Sequence, residues 1–374
     1  MREKCLRFLK NETVLCAAAV LAVVSLFLVP PDASYAGYID WDTLAMLFCL
    51  MAVVRGLQKA GVFLWLGGAL LRRTRSTRQM AVVLVFLPFF FSMAVTNDVS
   101  LITFVPFALT VLRLAGQQRL AVPIVVLQTL AANLGSMLTP MGNPQNLYLF
   151  TQSGLSFGGL CAVMAPYAAL SFVCLLAAAC AMKAQPIEPV AVTAKLGERR
   201  SILWCLFGFV LCLLAIFDVL PPLALAPVFA LFLLIFDRDT LRGVDYSLLL
   251  TFAAFFIFIG NLGRLEGFRA LIASALEGRE VIVSVLASQV ISNVPAALLL
   301  SGFTSNWEAL LIGCNLGGLG TLIASMASLI SYKFISRQYP AERGRYLLRF
   351  TAWNVGLLAL LLLLALALGA VSPG

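Results

Sequence analysis

The chain has 374 residues, of which 61% are hydrophobic and only 11% are charged. A soluble domain of this length needs many more polar residues to cover its surface, so the composition excludes a soluble globular protein and indicates a lipid environment. The formal net charge is +9. The basic residues lie in short loops between apolar segments and not in a stripe with interleaved aromatics, which excludes a nucleic-acid-binding protein.

Histidine is absent from the sequence, and the nine cysteines include no Cys-x-x-Cys pair. Histidine-based metal sites, catalytic triads and proton relays are therefore excluded. The cysteines lie mostly singly in apolar runs, where cysteine behaves as a small hydrophobic residue. A paired-aspartate intramembrane protease needs two deep acids, and the sequence offers one. We therefore predict that the protein is not an enzyme and has no cofactor.

Apolar segments of membrane-spanning length recur along the whole chain. The first follows a basic N-terminal flank, and we interpret it as a retained helix although residues 34–36 resemble a signal-peptidase site. Two further stretches, at about 80–112 and about 280–303, are interrupted halfway and are predicted to be re-entrant hairpins. Full crossings are predicted at about 13–29, 43–60, 119–150, 158–182, 202–217, 223–236, 246–262, 306–335 and 346–370.

The loop charges predict the orientation of the chain in the membrane. With the N-terminus in the cytoplasm, nearly all loop arginines and lysines face the cytoplasm, as the positive-inside rule expects. The exceptions are Arg264, Arg269 and Arg279, which nearby glutamates offset. The predicted protein is a multi-pass protein of a bacterial-type inner membrane with a periplasmic C-terminus.

The chain contains two similar halves. Asn133 and Thr139 in the first half match Asn315 and Thr321 in the second at one common offset, and each pair follows a predicted hairpin. An odd number of crossings separates the copies, so the second is inverted. We predict an all-α integral membrane protein with two inverted-topology repeats, each with a re-entrant helical hairpin and a broken transmembrane helix. Coincidence among apolar helices is the alternative.

The predicted domain organisation follows from these halves. The first repeat covers residues 1–182, with a cytoplasm-side hairpin at about 80–112 and a broken helix at about 119–150. A connector loop and helix occupy residues 183–222. The inverted second repeat covers residues 223–374, with a periplasm-side hairpin at about 280–303 and a broken helix at about 306–335.

Polar and glycine-rich breaks interrupt two predicted crossings, at residues 139–146 and 317–328. Backbone polar groups cannot stay unpaired in hydrocarbon, so a break must face protein or a water-lined cavity. Freed carbonyl groups can hold a cation, and the N-termini of half-helices favour an anion. Breaks of this kind in corresponding positions predict a transporter binding site. A kinked helix packed on its neighbours is the alternative at either place.

Asp98 is the only acidic residue in the middle of a long apolar stretch. An ionised aspartate at the bilayer centre costs about 2.5–3.5 kcal/mol on insertion scales, so such a residue indicates a function. Asp98 is predicted to bind a coupling Na⁺ or to carry a proton, and capping of the hairpin turn is the alternative. Ser292 and Asn293 occupy the equivalent tip, where a turn-forming role is the alternative. For Asn133 and Asn315, interhelical hydrogen bonding competes with ligand binding.

At these motifs the sequence resembles the ion transporter superfamily that includes arsenite permeases, NhaD-type sodium/proton antiporters, and citrate and dicarboxylate symporters. The resemblance covers nearly the whole chain, and the chain is most similar to the YbiR group of bacterial inner-membrane transporters. The motifs are Asn97-Asp98-Val99, Gly142-Asn143-Pro144-Gln145-Asn146, Ser292-Asn293-Val294-Pro295 and Asn315-Leu316-Gly317-Gly318.

The resemblance implies two re-entrant hairpins that meet two broken helices at mid-membrane, elevator-type movement and a homodimer. In the symporters, Ser-Asn-Thr motifs at the hairpin tips help to bind sodium and the substrate carboxylate. Both tips here lack the final threonine, so dicarboxylate recognition is not implied. The Asp98 tip is more similar to the arsenite and antiporter branches, whose hairpin carries an Asp-Asn pair.

The predicted function is ion-coupled secondary active transport of a small ion or ion-linked solute by alternating access, with Na⁺ or H⁺ as the coupling ion. The alternative is a channel-like or non-transporting scaffold protein. The predicted partners are the substrate, the lipid bilayer and a second copy of the chain. A coupling Na⁺ is predicted to contact Asn97, Asp98, Asn143, Ser292 and Asn293. The predicted binding residues are Asn97, Asp98, Asn133, Thr139, Gly142, Asn143, Pro144, Asn146, Ser292, Asn293, Asn315, Gly317, Thr321 and Ser325.

Overall fold

A computed structural model describes residues 12–188 and 195–371 of the chain. Within these ranges the regular structure is helical, and the one β contact is an isolated antiparallel bridge between Ser76 and Pro186. The basic N-terminal flank and the last three residues lie outside the described residues. The prediction of a cytoplasmic N-terminus and a periplasmic C-terminus therefore concerns residues that the structure does not describe.

The first half of the described chain contains eight α-helices. They are α1 (Thr13–Leu28), α2 (Trp41–Lys59), α3 (Val62–Leu71), α4 (Thr77–Phe91), α5 (Asn97–Leu114), α6 (Ala121–Ser136), α7 (Pro144–Ser153) and α8 (Phe157–Cys180). The following helices are α9 (Arg199–Ile216), α10 (Pro222–Phe236), α11 (Arg238–Arg242), α12 (Tyr246–Gly263), α13 (Glu266–Leu276), α14 (Glu280–Ile291), α15 (Asn293–Ser301), α16 (Trp307–Leu316), α17 (Met326–Gln338) and α18 (Arg343–Ala367).

The described chain is an integral membrane protein by the length and composition of its helices. Seven segments are long and apolar enough to cross a bilayer. They contain α2, α5, α6, α8, α9, α12 and α18. The predicted crossings at about 13–29 and about 223–236 correspond to α1 and α10, which are apolar but shorter. The stretches that follow α2 and α12 form the short helices α3 and α13.

Helix interruptions occur where the sequence places proline, glycine and polar residues. The segment at 119–150 consists of α6, a 3₁₀ turn at Pro140–Gly142, and α7, which starts at Pro144 because proline suits the first helical position. The segment at 306–335 consists of α16 and α17 with a non-helical stretch between them. The segments at 80–112 and 280–303 divide into α4 and α5, and into α14 and α15.

Helix α6 is the centre of the bundle, because nearly every one of its residues is buried. It packs against α4, α5, α8, α17 and α18, and these neighbours shield its polar side chains, such as Gln128 and Asn133, from lipid. Gln128 of α6 donates from Nε2 to the Leu84 carbonyl oxygen at 2.8 Å. Gly135 allows a close approach of α4, since a Cβ there would overlap the Phe89 carbonyl oxygen.

The loop before α2 is tied to the end of α12. Arg264 Nη1 and Asp32 Oδ2 are 2.7 Å apart, and Asn261 Nδ2 donates to Ser25 Oγ of α1 at 2.9 Å. The Ser34 side chain and then the Arg264 guanidinium hold the pKa of Asp32 below its ordinary value. The exposed ion pair contributes little stability, so the buried α1–α12 contact carries the attachment.

The close contact at Gly135 generates a test of the packing. We expect Gly135→Ala to lower the free energy of unfolding by about 1–3 kcal/mol, because the added methyl group overlaps the backbone of α4. Thermal unfolding in detergent measures the effect. The matched control is Gly158→Ala in α8, where a Cβ meets nothing within 4 Å. Equal melting temperatures for the two variants would contradict the packing.

Candidate functional site

Polar side chains meet where the ends of α5, α6 and α17 come together. Asn133, in the last turn of α6, accepts at Oδ1 from Asn97 Nδ2 at 3.0 Å and from Ser325 Oγ at 3.1 Å. Its Nδ2 donates to Ser328 Oγ at 3.4 Å. Asn133 therefore joins the start of α5 to the start of α17.

Ser136 extends the network to the first break. Its hydroxyl donates to the Asn133 carbonyl oxygen at 3.0 Å and accepts from Asn143 Nδ2 at 2.8 Å. Asn146 donates to the Ser136 carbonyl oxygen at 3.3 Å, and its Oδ1 accepts from Asn315 Nδ2 at 2.8 Å. The first break is thus held to the end of α16. We call the side chains that make these bonds the amide network: Asn97, Asn133, Ser136, Asn143, Asn146, Asn315, Ser325 and Ser328.

The tip between α14 and α15 contacts the same region through the second break. The backbone N–H of Asn293 and the hydroxyl of Ser292 donate to the Ala324 carbonyl oxygen at 3.0 and 3.4 Å. Ala324 immediately precedes Ser325, which donates to Asn133. The segments that contain Asn97 and Ser292 therefore meet through residues 324–325.

Four helices around the network begin at polar residues whose side chains do not cap them. These N-cap residues are Thr96, Asn143, Ser292 and Ser325. By contrast, Asp40, Ser76 and Asp245 each accept a hydrogen bond from their own helix. An N-terminus without an N-cap side-chain bond carries a partial positive charge and presents the backbone N–H groups that have no other partner. At α15 the Asn293 N–H is bonded to the Ala324 carbonyl oxygen, and at α5 the Asp98 N–H is bonded to Asn97 Oδ1, so these two ends are partly open. We call these N-termini of α5, α7, α15 and α17 the four uncapped helix ends.

Several buried amide atoms beside these ends lack a partner within residues 12–188 and 195–371. They are Asn143 Oδ1, Asn315 Oδ1, and both Oε1 and Nε2 of Gln145. Gln145 is only 1% exposed. The orientation of the Asn315 amide is fixed, because its Nδ2 also donates to the Leu311 carbonyl oxygen at 2.8 Å. An unsatisfied buried polar atom costs about 1–3 kcal/mol, so these atoms suit a polar solute that supplies the missing bonds.

Asp98 lies in the first turn of α5 and is partly exposed. Its backbone N–H donates to Asn97 Oδ1 at 2.9 Å, and its carboxylate belongs to none of the ion pairs among the described residues. No other acid lies in the first turn of the four uncapped helix ends. A carboxylate near a helix N-terminus is favoured by the helix dipole and remains available to a cation.

The described parts of the chain contain no cluster of three or more His, Cys, Asp or Glu side chains that could hold a metal ion. A Na⁺ ion at the amide network would take oxygen ligands from asparagine and serine side chains and from the carbonyl groups of the breaks. Such neutral oxygens suit a hard cation, with Asp98 as the one carboxylate at the helix ends.

Comparison with known proteins identifies the family. The sequence pattern of the CitMHS family, which is described as citrate transporter, matches residues 4–306. The chain belongs to the CitMHS citrate transporter family. The match covers the first break and both interruptions that precede α5 and α15.

Relatives of this CitMHS protein are named as membrane or transport proteins. The inner membrane protein YbiR of Escherichia coli is 30% identical over 336 residues, which cover 88% of this chain and 89% of YbiR. A protein of Methanocaldococcus jannaschii named uncharacterized transporter MJ0456 is 30% identical over 83% of this chain and 85% of its own length. The silicon efflux transporter LSI3 of rice is 36% identical over 37% of this chain and 28% of its own length. These names support membrane transport.

Some of the predicted site residues of this CitMHS protein lie outside the amide network. Thr321 is exposed, and its N–H donates to Gln289 Oε1 at 2.9 Å. Gln289 Nε2 donates to the Gly317 carbonyl oxygen at 3.0 Å. Thr139 donates from its hydroxyl to the Met93 carbonyl oxygen. These contacts close the breaks and leave these groups engaged with protein.

Gly142 and Pro144 have backbone roles in the first break. A Cβ at Gly142 would overlap the Ser136 carbonyl oxygen, so only glycine fits at this position. Pro144 is the first residue of α7. The two residues set the course of the chain that places Asn143 and Gln145.

The sequence reasoning missed Gln289, whereas it named the amide of Gln145 at the first break but left it out of the list of binding residues. Gln289 is the one amide in the last turn of α14, next to Ser288. A polar residue so close to a helix interruption is the signal that could have found it. Gln145 lies within the family motif, and its motif position was the available signal.

Ser292 has a backbone conformation that side chains rarely adopt. Its φ is 77° and its ψ is 154°, a region that is populated almost only by glycine and that costs a residue with a side chain about 1–3 kcal/mol. Strain of this kind is typical of functional sites.

The strain at Ser292 generates a second test. We expect Ser292→Gly to unfold at a higher temperature than Ser292→Ala, because only glycine relieves the strained backbone. At Ser274, an exposed position inside α13, we expect the opposite order by about 1 kcal/mol, since alanine is the better helix former. Melting curves of the four variants in one detergent give the two orders. The same order at both positions would contradict the strain.

Proposed function

We propose that this protein is a secondary active transporter that moves a small polar solute or ion across an inner membrane by alternating access, coupled to Na⁺ or H⁺. The family and the names of the relatives support membrane transport. The observation that carries the finer proposal is the group of unpaired buried amide atoms beside the four uncapped helix ends. A transported solute would complete these hydrogen bonds when it binds and release them when it leaves.

Two inverted repeats, at residues 1–182 and 223–374 with a connector between them, are part of this proposal. Two contacts between the halves support it: Asn133 bonds to Ser328, and Asn315 bonds to Asn146. Asn133 lies in α6, before the first break, and Ser328 lies in α17, after the second. Asn315 lies in α16, before the second break, and Asn146 lies in α7, after the first. The two asparagines and the two partners are related by the same offset along the chain.

Re-entrant hairpins formed by α4–α5 and by α14–α15 are also proposed. Helices α14 and α15 have 12 and 9 residues, whereas a single crossing needs about 20. The contact of their tip with Ala324 supports a turn that ends inside the protein. Helix α5 has 18 residues and could cross the membrane by its length alone, so length does not support the first hairpin. The support for this hairpin is the turn at the start of α5, where Asn97 bonds to the buried Asn133.

The charge of the site guides the proposed substrate class. Arginine and lysine are absent from the hydrogen bonds of the amide network among the described residues. Positive potential there comes from helix N-termini and from any co-bound cation. We therefore infer a substrate with fewer negative charges than citrate, such as a monoanion or an uncharged hydroxylated solute, in line with the silicon named for the rice relative.

Asp98 is the proposed coupling residue. Its carboxylate is the one acidic group at the four uncapped helix ends and can take a proton or a Na⁺ ion. An elevator-type movement and a homodimer belong to the proposal on the strength of the family resemblance. Neutralisation of Asp98 by its ion would lower the cost of moving this carboxylate through the membrane.

Transport by Asp98→Asn tests the coupling. We expect the purified variant in proteoliposomes to lose at least about 90% of ion-driven uptake, because the amide neither releases a proton nor carries the charge that holds Na⁺. Radiolabelled citrate and silicic acid are the first solutes to measure, with Na⁺ and pH gradients imposed separately. The matched control is Asp42→Asn, an exposed aspartate in the first turn of α2, which should transport as the unaltered protein does.

The same assay separates the competing functions. Uptake by Asp98→Asn that equals uptake by the unaltered protein under both gradients would remove Asp98 from the mechanism. A flux that does not saturate with solute and ignores both gradients would favour a channel. A folded protein without flux for any solute tested would favour a scaffold.

A further inference from the structure

A cavity of about 630 Å³ lies between α2, α9, α10 and α11. None of its lining residues belongs to the amide network. Helices α9 and α10 each pack on α2 but scarcely touch each other along their backbones. Gly56 lets α9 approach α2, because a Cβ there would lie 2.5 Å from Cys205 Sγ. The result is a cleft with α2 as its floor and with α9 and α10 as its walls.

The walls of the cleft are apolar and aromatic. Trp204 and Phe207 come from α9, and Phe229 and Phe232 come from α10. The rings of Trp204 and Phe232 are 5.4 Å apart between centroids. Phe207 is 55% exposed and Trp204 is 46% exposed, so the cleft is open along its side.

The length of the cleft fits one leaflet of a bilayer. Along α9 its lining runs from Arg200 to Leu211, which is roughly 16 Å of helix at 1.5 Å per residue. The hydrocarbon core of a bilayer is about 30 Å thick, so this lining spans about one half of it. An acyl chain of a single lipid would therefore run beside the apolar walls.

Charged residues lie at one end of the cleft. Lys59 Nζ lies 2.7 Å from Asp237 Oδ1 and 3.7 Å from Asp239 Oδ2. Arg200 and Arg238 also line the cavity and are exposed, and neither belongs to an ion pair among the described residues. Lys59 thus pairs with the two aspartates. Arg238 donates from Nε to the Leu234 carbonyl oxygen at 2.8 Å, so its terminal N–H groups and the Arg200 guanidinium stay available to an anion.

We propose that this cleft binds an anionic phospholipid, with an acyl chain between α9 and α10 and its phosphate between Arg200 and Arg238. Arginine binds phosphate oxygens through paired N–H donors. Glu198 lines the same end, and its carboxylate can accept hydrogen bonds from the hydroxyl groups of a glycerol headgroup. Phosphatidylglycerol combines the phosphate with these hydroxyls. The positive-inside pattern of the loops assigns this lipid to the cytoplasmic leaflet. The site is independent of the proposed transport function.

Native mass spectrometry of the purified full-length protein tests the proposal with phosphatidylglycerol and phosphatidylcholine of identical acyl chains. We expect the unaltered protein to retain phosphatidylglycerol in preference to phosphatidylcholine. The double variant Arg200→Gln/Arg238→Gln should bind phosphatidylglycerol about tenfold more weakly or worse, because two charge-assisted contacts are lost. The matched control, Arg72→Gln/Arg73→Gln, removes two exposed charges outside the cavity and should bind as the unaltered protein does.

A fluorescence measurement locates the bound chain. Phosphatidylglycerol with bromine atoms in its acyl chains should quench the emission of the unaltered protein, and Trp204→Phe should remove most of the quenching. Equal retention of the two lipids, or equal losses in both double variants, would overturn the charge-based assignment. A dimer that forms without bound lipid and protects Trp204 from the brominated chains would assign the cleft to a second copy and overturn the proposal.

Discussion

The requirement that backbone polar groups be paired inside a membrane governs this structure. Hydrocarbon offers no hydrogen bonds, so each helix that stops within the bundle needs partners from the protein. Gln289 supplies them at the second break, where it bonds to the carbonyl oxygens of Gly317 and Leu319. Asn146 does the same at the first break for Ser136 and neighbouring carbonyls. The amides that close the breaks also determine which atoms remain open to a solute.

Closing the breaks also connects the two halves of the chain. Asn133 and Asn315 each come from the helix before one break and bond to a residue after the other. A change in either half must therefore move or break a contact to the other half. In the proposed transport cycle, this arrangement lets a single bound solute contact both halves at once. Under the proposed alternating access, the site would lie between elements that move relative to each other.

Much of the fold could be predicted because its signals are local. Apolar length gave six of the nine predicted crossings, and the prolines and glycines of residues 139–146 and 317–328 gave the interruptions. The seventh spanning helix, α5, lies in a segment that was predicted to be a hairpin. The family resemblance agrees with the family match and with the similarity to YbiR. The partners of individual side chains could not be predicted, since packing decides them. Thr321 was expected among the ligands, yet its backbone N–H donates to Gln289 Oε1, which lies on α14.

The competing roles of the asparagines illustrate the same limit. Sequence reasoning left ligand binding and interhelical hydrogen bonding open for Asn133 and Asn315. Both side chains make interhelical bonds, but only Asn315 retains a buried oxygen without a partner among the described residues. This difference depends on the position of Asn146 and the orientation of one amide, which no sequence pattern encodes.

The most direct test of the central claim is an experimental density map of the protein in lipid nanodiscs with Na⁺, at a resolution that shows bound ions and waters. We expect density for a bound species within hydrogen-bonding or coordination distance of Asn315 Oδ1, Asn143 Oδ1 and the Gln145 amide. Amide groups that turn to pair fully with protein, with no density beside them, would contradict a solute site at the two breaks.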